Sequence, residues 1–264
     1  MTVAVKLRII ETVFIIQKDI SLSADAGRTS LRGLDVLETF RIAGKPLSLS
    51  ELSRLSKIPV STCHGVVKAL EKRGFLYFPS TREAYPTRKL WELAAEIDTK
   101  DPIATRLAPT LSALRDETGE TAIFGTRQVD AVLYLLVFES PQAIRYTARS
   151  GERKPLHSSA IGKVMLGVMS EEERMAWLKD HPLPRITDRT ITSARRLRAD
   201  IASAHQRGYF VTRGENVADV MAVAAPIKLA GTTFAVAIAG PLHRMEPNES
   251  KIAAQLRHCI RTLE

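Results

Sequence analysis

Residues 46–74 read PLSLSELSRLSKIPVSTCHGVVKALEKRG, a pattern that predicts two short helices joined by a tight turn. Ser48 and Glu51, three residues apart, make a capping box, in which hydroxyl and carboxylate satisfy backbone donors left open at a helix start. Leu49, Leu52 and Leu55 recur at helical spacing and predict the buried face of the first helix. Pro59 ends that helix because it lacks an amide donor and fixes φ, yet it is tolerated in the opening turn of the next. In the second helix Cys63, Val67 and Leu70 share a stripe, with Val66 and Ala69 beside them. Ser61, Thr62, His64 and Lys68 face the other way. Lys72 and Arg73 place cations at the negative end of the helix, and Gly74 supplies a residue able to take positive φ at its stop.

Working outward, residues 75–78 and 83–85 predict a small hairpin whose tip, Pro79-Ser80-Thr81-Arg82, is basic. Leu31, Leu34, Val36, Leu37 and Phe40 predict a helix before the central pair, ended by Ala43-Gly44-Lys45-Pro46. Three helices and a hairpin in this order describe a winged helix-turn-helix, in which the second helix of the pair enters a major groove by its polar N-terminal residues. An ordinary helical hairpin is the plain alternative, and the charge distribution weighs against it. Between Arg28 and Lys89 there are twelve Lys or Arg against five Asp or Glu, so +7 of the chain's net +9 sits in this segment. A compact basic segment favours an anionic partner, nucleic acid first and a membrane surface second.

The chain has 264 residues, 45% of them hydrophobic, enough for two domains with real cores. Its two cysteines, Cys63 and Cys259, lie far apart on predicted amphipathic helices, which suggests neither a disulfide framework nor a zinc cluster and fits a reducing cytoplasm. Residues 1–27 form an N-terminal extension, β-branched and apolar but interrupted by Lys6, Arg8, Glu11 and Lys18. It contains no run of about 20 apolar residues, so no membrane span is expected there, and its charges also break the apolar region a signal peptide needs.

Beyond the hairpin, Leu90, Leu93, Ala94 and Ile97 predict a connecting helix over 90–101, and Leu107, Leu111 and Leu114 predict another over 103–118. From Glu120 the period switches to two: 121–127, 131–139 and 143–148 read as strands, with Gln128-Val129-Asp130 as a turn. Helices follow over 158–169, 170–179 and 193–207, then strands over 209–213, 220–227 and 234–240. Pro247 is expected to open a last helix carrying Ile252, Leu256, Cys259 and Ile260. The fold class is therefore α+β, helices packed on one antiparallel sheet.

These residues carry a resemblance. SLRGLDVLETF, SLSELSRLSKIPVSTCHGVVKALEKRGFL, ESPQAIRYTARSGERKPLHSSAIGKVML, RGYFVTRGENVADVMAVAAPI and FAVAIAGPLHRM stand in the order found in IclR-family transcriptional regulators, and the chain resembles that family from Ser30 to its end. The resemblance implies a winged helix-turn-helix domain over 28–89, a linker helix over 90–101 and a GAF-like effector-binding domain over 102–264. It also implies a homodimer or dimer of dimers on double-stranded operator DNA, modulated by a small organic acid, with no cofactor and no membrane partner.

By the resemblance, Ser61, Thr62 and His64 sit where the family meets DNA, and Lys68, Arg73 and Arg82 are expected to carry more of an operator binding that is weaker or differently specified. Two departures matter. The family usually has cations at the positions of Val60 and Gly65, and their absence removes up to two phosphate or base contacts. In PLHSSAIGK, Ser158, Ser159 and free amides at a helix start suit a carboxylate. The effector positions carried over from the family are Ala143, Ala160, Ile161, Thr212, Ala222, Ala237 and Ala239. Several of these are polar in acid-sensing relatives, so their alanines imply either a larger or more apolar effector, aromatic included, or simple packing of the sheet. Asp219, where the family usually has Gly, puts the local turn in question.

Catalytic readings find little. Ser159 and Lys163 have four-residue spacing rather than S-x-x-K, Gly162-Lys163 lacks the upstream glycine of a phosphate loop, and the six His show no i, i+4 pairing. A hydrolytic or small-molecule-binding enzyme on the C-terminal domain is the rival from another class; turnover of esters against binding of duplex DNA separates the two.

Overall fold

The computed structural model describes residues 28–79 and 82–263, and the extension 1–27 and the hairpin tip Ser80-Thr81 lie outside them. The chain forms two compact units that divide between Thr99 and Lys100.

The first unit comprises α1 (Arg28–Ala43), β1 (Leu47–Ser48), α2 (Leu49–Ser56), α3 (Val60–Lys72), β2 (Leu76–Tyr77), β3 (Glu83–Pro86) and α4 (Lys89–Thr99). The capping box forms: the Ser48 amide donates to Glu51 Oε2 at 2.9 Å, and the Glu51 amide donates to Ser48 Oγ at 3.4 Å. Lys57 takes the left-handed conformation at the end of α2, and Ser53 Oγ closes the turn by donating to the Ile58 carbonyl at 2.7 Å. At the far end of α3, Gly74 has φ +75°. The Phe75 amide reaches the Leu70 carbonyl at 2.9 Å and the Gly74 amide reaches that of Glu71 at 2.8 Å, the paired bonds of a Schellman stop.

The core of this unit is Val36, Phe40, Leu47, Leu52, Ile58, Cys63, Val67, Leu76 and Ala84. Leu55, expected inside, is 43% exposed. Helix α2 is only two turns long, and Ile58, after the left-handed bend at Lys57, joins the core. The hairpin is joined by β1, so the small sheet runs β1-β3-β2, with Leu47 opposite Ala84 and Tyr77 opposite Tyr85. That third strand was too short to show a period.

The second unit begins with α5 (Pro102–Thr118), capped by Asp101, whose carboxylate accepts from the Ile103 and Ala104 amides. It continues with β4 (Thr121–Gln128), β5 (Ala131–Phe138), β6 (Arg153–Pro155), α6 (Ala160–Gly167), α7 (Glu171–Asp180), α8 (Ala194–Arg207), β7 (Phe210–Arg213), β8 (Val220–Leu229), β9 (Thr232–Pro241), α9 (Leu242–Met245) and α10 (Glu249–Leu263). The six-stranded antiparallel sheet has the order β6-β5-β4-β9-β8-β7. Side chains alternate by size: Val223, Val236, Ile238 and Phe124 face α5 and α10, whereas Ala224, Ala235, Ala237 and Ala239 face α6 and α8.

Three expectations need correction here. Residues 143–148 are not a strand; the outer edge of β5 is paired with β6, and the carbonyls of Ile144 and Tyr146 are met by side chains of Arg244 and Thr121 instead. Pro247 lies in a short 3-10 turn, Glu246–Asn248, before α10 rather than at its start. Asp219 is not among the positive-φ residues; its carbonyl accepts from the Leu242 amide at 2.7 Å, so no glycine is needed there.

The amide and hydroxyl of Ser48, with Lys45, hold the Glu51 carboxyl at about 2, below its ordinary 4.5. Because the folded value is the lower one, this contribution is complete above the ordinary value and is lost as pH falls toward about 2. Ser48→Ala keeps the amide, the largest cause, and removes the hydroxyl, so it is expected to raise the Glu51 titration only part of the way toward 4.5 and to cost the unit about 1 kcal/mol, measured by NMR titration and denaturant unfolding.

Candidate nucleic-acid interface and effector cavity

The first site is the outward face of α3. Ser61, His64 and Lys68 are exposed and Thr62 is half-buried, while Cys63 and Val67 anchor the opposite face in the core. The polar stripe is therefore presented to solvent by the same periodicity that buries the apolar one. Val60, in the first turn, is 55% exposed. Lys68 pairs with Glu71 at 2.9 Å and lies 5.8 Å from the Phe78 ring centroid, which turns its ammonium toward the hairpin. The Arg73 guanidinium sits over Phe75 at 5.6 Å, and Arg82 is exposed beside the hairpin tip. A Cβ added at Gly65 meets no atom within 4 Å.

The second site is a cavity of about 30 Å³ between α6 and the alanine face of the sheet. Ser159, Ala160, Ile161, Thr212, Ala222, Ala237 and Ala239, seven of the nine expected positions, line it together. Ala143 does not; it is exposed in the loop that failed to form a strand. Ser158 is fully buried behind the wall, its Oγ 3.4 Å from Asn216 Oδ1. The Ser159 hydroxyl donates to the Pro155 carbonyl at 2.6 Å and accepts from the Gly162 amide at 3.2 Å, so it caps α6. The groups α6 leaves open at the cavity are the amides of Ala160 and Ile161, at its positive end.

Sequence reasoning missed Ile123, Tyr134, Tyr146, Asn216, Val217 and Val220, which complete the lining. Burial, reinforced by the neighbouring Tyr146 phenol and Glu152, pushes the Tyr134 hydroxyl well above its ordinary range. Burial alone would lower Lys154, but Tyr146 and Glu152 raise it, so the cation stays charged behind the two phenols. The period of two in β5 points Tyr134 to the same side as Val132 and was the available signal for it.

Lys163, weighed earlier only for catalysis, is 0% exposed. Its ammonium donates to Asp200 Oδ2 at 2.7 Å, Glu215 Oε1 at 2.6 Å and the Val211 carbonyl at 3.3 Å. Burial raises the Glu215 carboxyl, against the pull of Lys163. Removing one partner of such a group strands a buried charge, at a cost of roughly 3–5 kcal/mol. With Ser159 committed to capping and Lys163 to these acids, no nucleophile and base are paired here.

A fold of this kind, a basic winged helix-turn-helix followed by a sheet domain with a small cavity at a helix start, is that of a bacterial one-chain transcriptional regulator. Residues 96–264 match the family model described as the bacterial transcriptional regulator IclR C-terminal domain, and residues 31–79 match the IclR helix-turn-helix domain. The chain is 32% identical to the HTH-type transcriptional regulator BhcR of Paracoccus denitrificans over 81% of this chain and 77% of that protein. It is 27% identical to the HTH-type transcriptional repressor AllR of Escherichia coli K12 over 81% of this chain and 80% of that one. Among solved structures, an IclR homolog from Microbacterium hydrocarbonoxydans complexed with 4-hydroxybenzoate superposes with a TM-score of 0.72 at 27% identity, covering 89% of this chain and 97% of that one. The chain belongs to the IclR family of DNA-binding transcriptional regulators and is not an enzyme.

Two glycines on helices give opposite expectations. A Cβ at Gly162 would stand 2.3 Å from the Leu156 carbonyl oxygen, so Gly162→Ala must displace α6 and is expected to destabilise the second unit by about 1–3 kcal/mol or more. Gly65→Ala, in open space, is expected to stabilise the first unit by about 0.5–1 kcal/mol. Denaturant unfolding of the two variants measures both.

Proposed function

We propose that the chain represses transcription by docking α3 in the major groove of operator DNA as a homodimer or dimer of dimers, and that a small organic acid bound at the α6 cavity modulates it. The exposed polar face at the start of α3, inside the basic unit, is the observation that carries this reading. Ser61, Thr62 and His64 then meet base edges or phosphates, and Lys68, Arg73 and Arg82 neutralise the backbone. Residues 28–89 serve as the DNA-binding domain, 90–101 as the linker helix and 102–264 as the effector domain, with 1–27 as an extension.

Self-association is supported by α4, none of whose residues is buried: Trp91 is 60% and Ile97 64% exposed, and Leu34 of α1 is exposed as well. Apolar side chains in such numbers on one unit favour a partner. The free, buried Cys63 and Cys259 suit a reducing cytoplasm. For the effector, the open amides of Ala160 and Ile161 favour a carboxylate, and the alanines at 222, 237 and 239 leave the floor apolar. The relative that holds 4-hydroxybenzoate supports an aromatic acid.

Binding to duplex DNA from the region upstream of its gene, measured over a range of salt, tests the first half. Lys68→Ala is expected to weaken binding uniformly and reduce the salt slope by about 1, and Gly65→Arg to strengthen binding. Unchanged affinity in both contradicts the docking face. Calorimetric titration of aliphatic against aromatic acids tests the second half, and tight binding of pyruvate or glyoxylate with no aromatic binding overturns the aromatic assignment.

A further inference from the structure

The cavity of about 30 Å³ is small and opens to solvent, so the placement of its walls decides what an acid bound there meets. Its floor belongs to the long β8–β9 ladder, and its roof, α6, is buried along its whole length. Its sides are the loop 214–219, which contributes Asn216 and the exposed Val217, and Ile123, Tyr134 and, from the loop after β5, Tyr146.

Several groups hold the loop 214–219: the Leu242 amide on the Asp219 carbonyl at 2.7 Å, the Ser158 hydroxyl 3.4 Å from Asn216 Oδ1, and three more. The hydroxyls of Thr187 and Thr190 donate to the Gly214 and Glu215 carbonyls at 2.6 and 2.7 Å. The third is the ammonium of Lys163 on Glu215 Oε1 at 2.6 Å, and it comes from the roof helix itself, one turn beyond Ala160. The other oxygen of that carboxylate, Oε2, is buried without a partner. The Lys163–Glu215 bond is the charged one among these attachments, and it immediately precedes the two wall residues in sequence.

Taking the cavity as the effector site, we propose that Lys163 is a positioning residue for it: its bond to Glu215 ties the wall 214–219 to the roof and sets where Asn216 and Val217 stand against the ligand. Asp200, on α8, orients the same ammonium but holds no part of the wall.

Hydrogen exchange of the full chain, with no ligand added, tests this. Lys163→Met and Glu215→Gln are each expected to speed exchange of the 215–220 amides by about tenfold or more beyond any change in the α10 amides, which report global opening of the unit. Asp200→Asn is expected to leave the loop unchanged. The apolar pair Lys163→Met/Glu215→Leu separates positioning from support of the fold, because it removes both buried charges. Its thermal midpoint is expected to recover toward wild type while the loop stays fast. Wild-type exchange at 215–220 in the single variants, or a loop that slows again in the apolar pair along with the thermal midpoint, overturns the proposal. Neither readout involves DNA or an effector, so a failure of the regulatory reading leaves this result intact.

Discussion

The second unit depends on a division of side-chain size across one sheet. On β9 the even positions Val236 and Ile238 fill the face covered by α5 and α10, and the odd positions Ala235, Ala237 and Ala239 leave the other face nearly flat. A flat face lets α6 come close, and Gly162, pressed against the Leu156 backbone, shows how close. The same alanines that permit this approach leave the small space at the helix start where two amides remain open. Packing and binding are therefore one arrangement: enlarging the alanines would fill the cavity and lift the helix together.

Close packing of a whole helix also explains the ion cluster beneath it. All eight residues of α6 are buried, and the one charged member, Lys163, has no path to water. A lone buried ammonium is prohibitively costly, so the fold brings it Asp200 and Glu215 from two other elements together with the Val211 carbonyl. The cluster ties α6, α8 and the segment after β7 into one piece around the cavity. Such an arrangement is weak evidence for added stability and better evidence for a defined geometry.

Much of this was legible in the residues, and the limits follow from range. The helix pair over 46–74 is written in local signals, Ser48 with Glu51, Pro59 and Gly74, and each formed as the local chemistry requires. The cavity floor was legible through the family resemblance, since Thr212, Ala222, Ala237 and Ala239 fall at corresponding positions on β7, β8 and β9. What escaped depends on contacts distant in sequence. Tyr134 and Tyr146 join the cavity because β5 lies beside β4 and a loop crosses it, and Lys163 acquires meaning only when residues 37 and 52 positions away arrive beside it. Leu55 stayed outside the core despite its helical spacing, while Ile58, beyond a left-handed turn at Lys57 that no β-carbon pattern announces, entered it.

The first unit puts its charge and its open polar helix face on one small scaffold, and the regulatory account stands on that face meeting DNA. Photo-cross-linking tests it most directly: a photoreactive amino acid placed at Ser61 or His64, on the outward side of α3, in the full-length chain with duplex DNA from the region upstream of its gene. The account predicts covalent protein–DNA adducts at both positions, competed away by unlabelled duplex, and none from the same group at Val129 in the β4–β5 turn. Adducts from Val129 but none from Ser61 or His64, in a chain that binds the duplex, would contradict it.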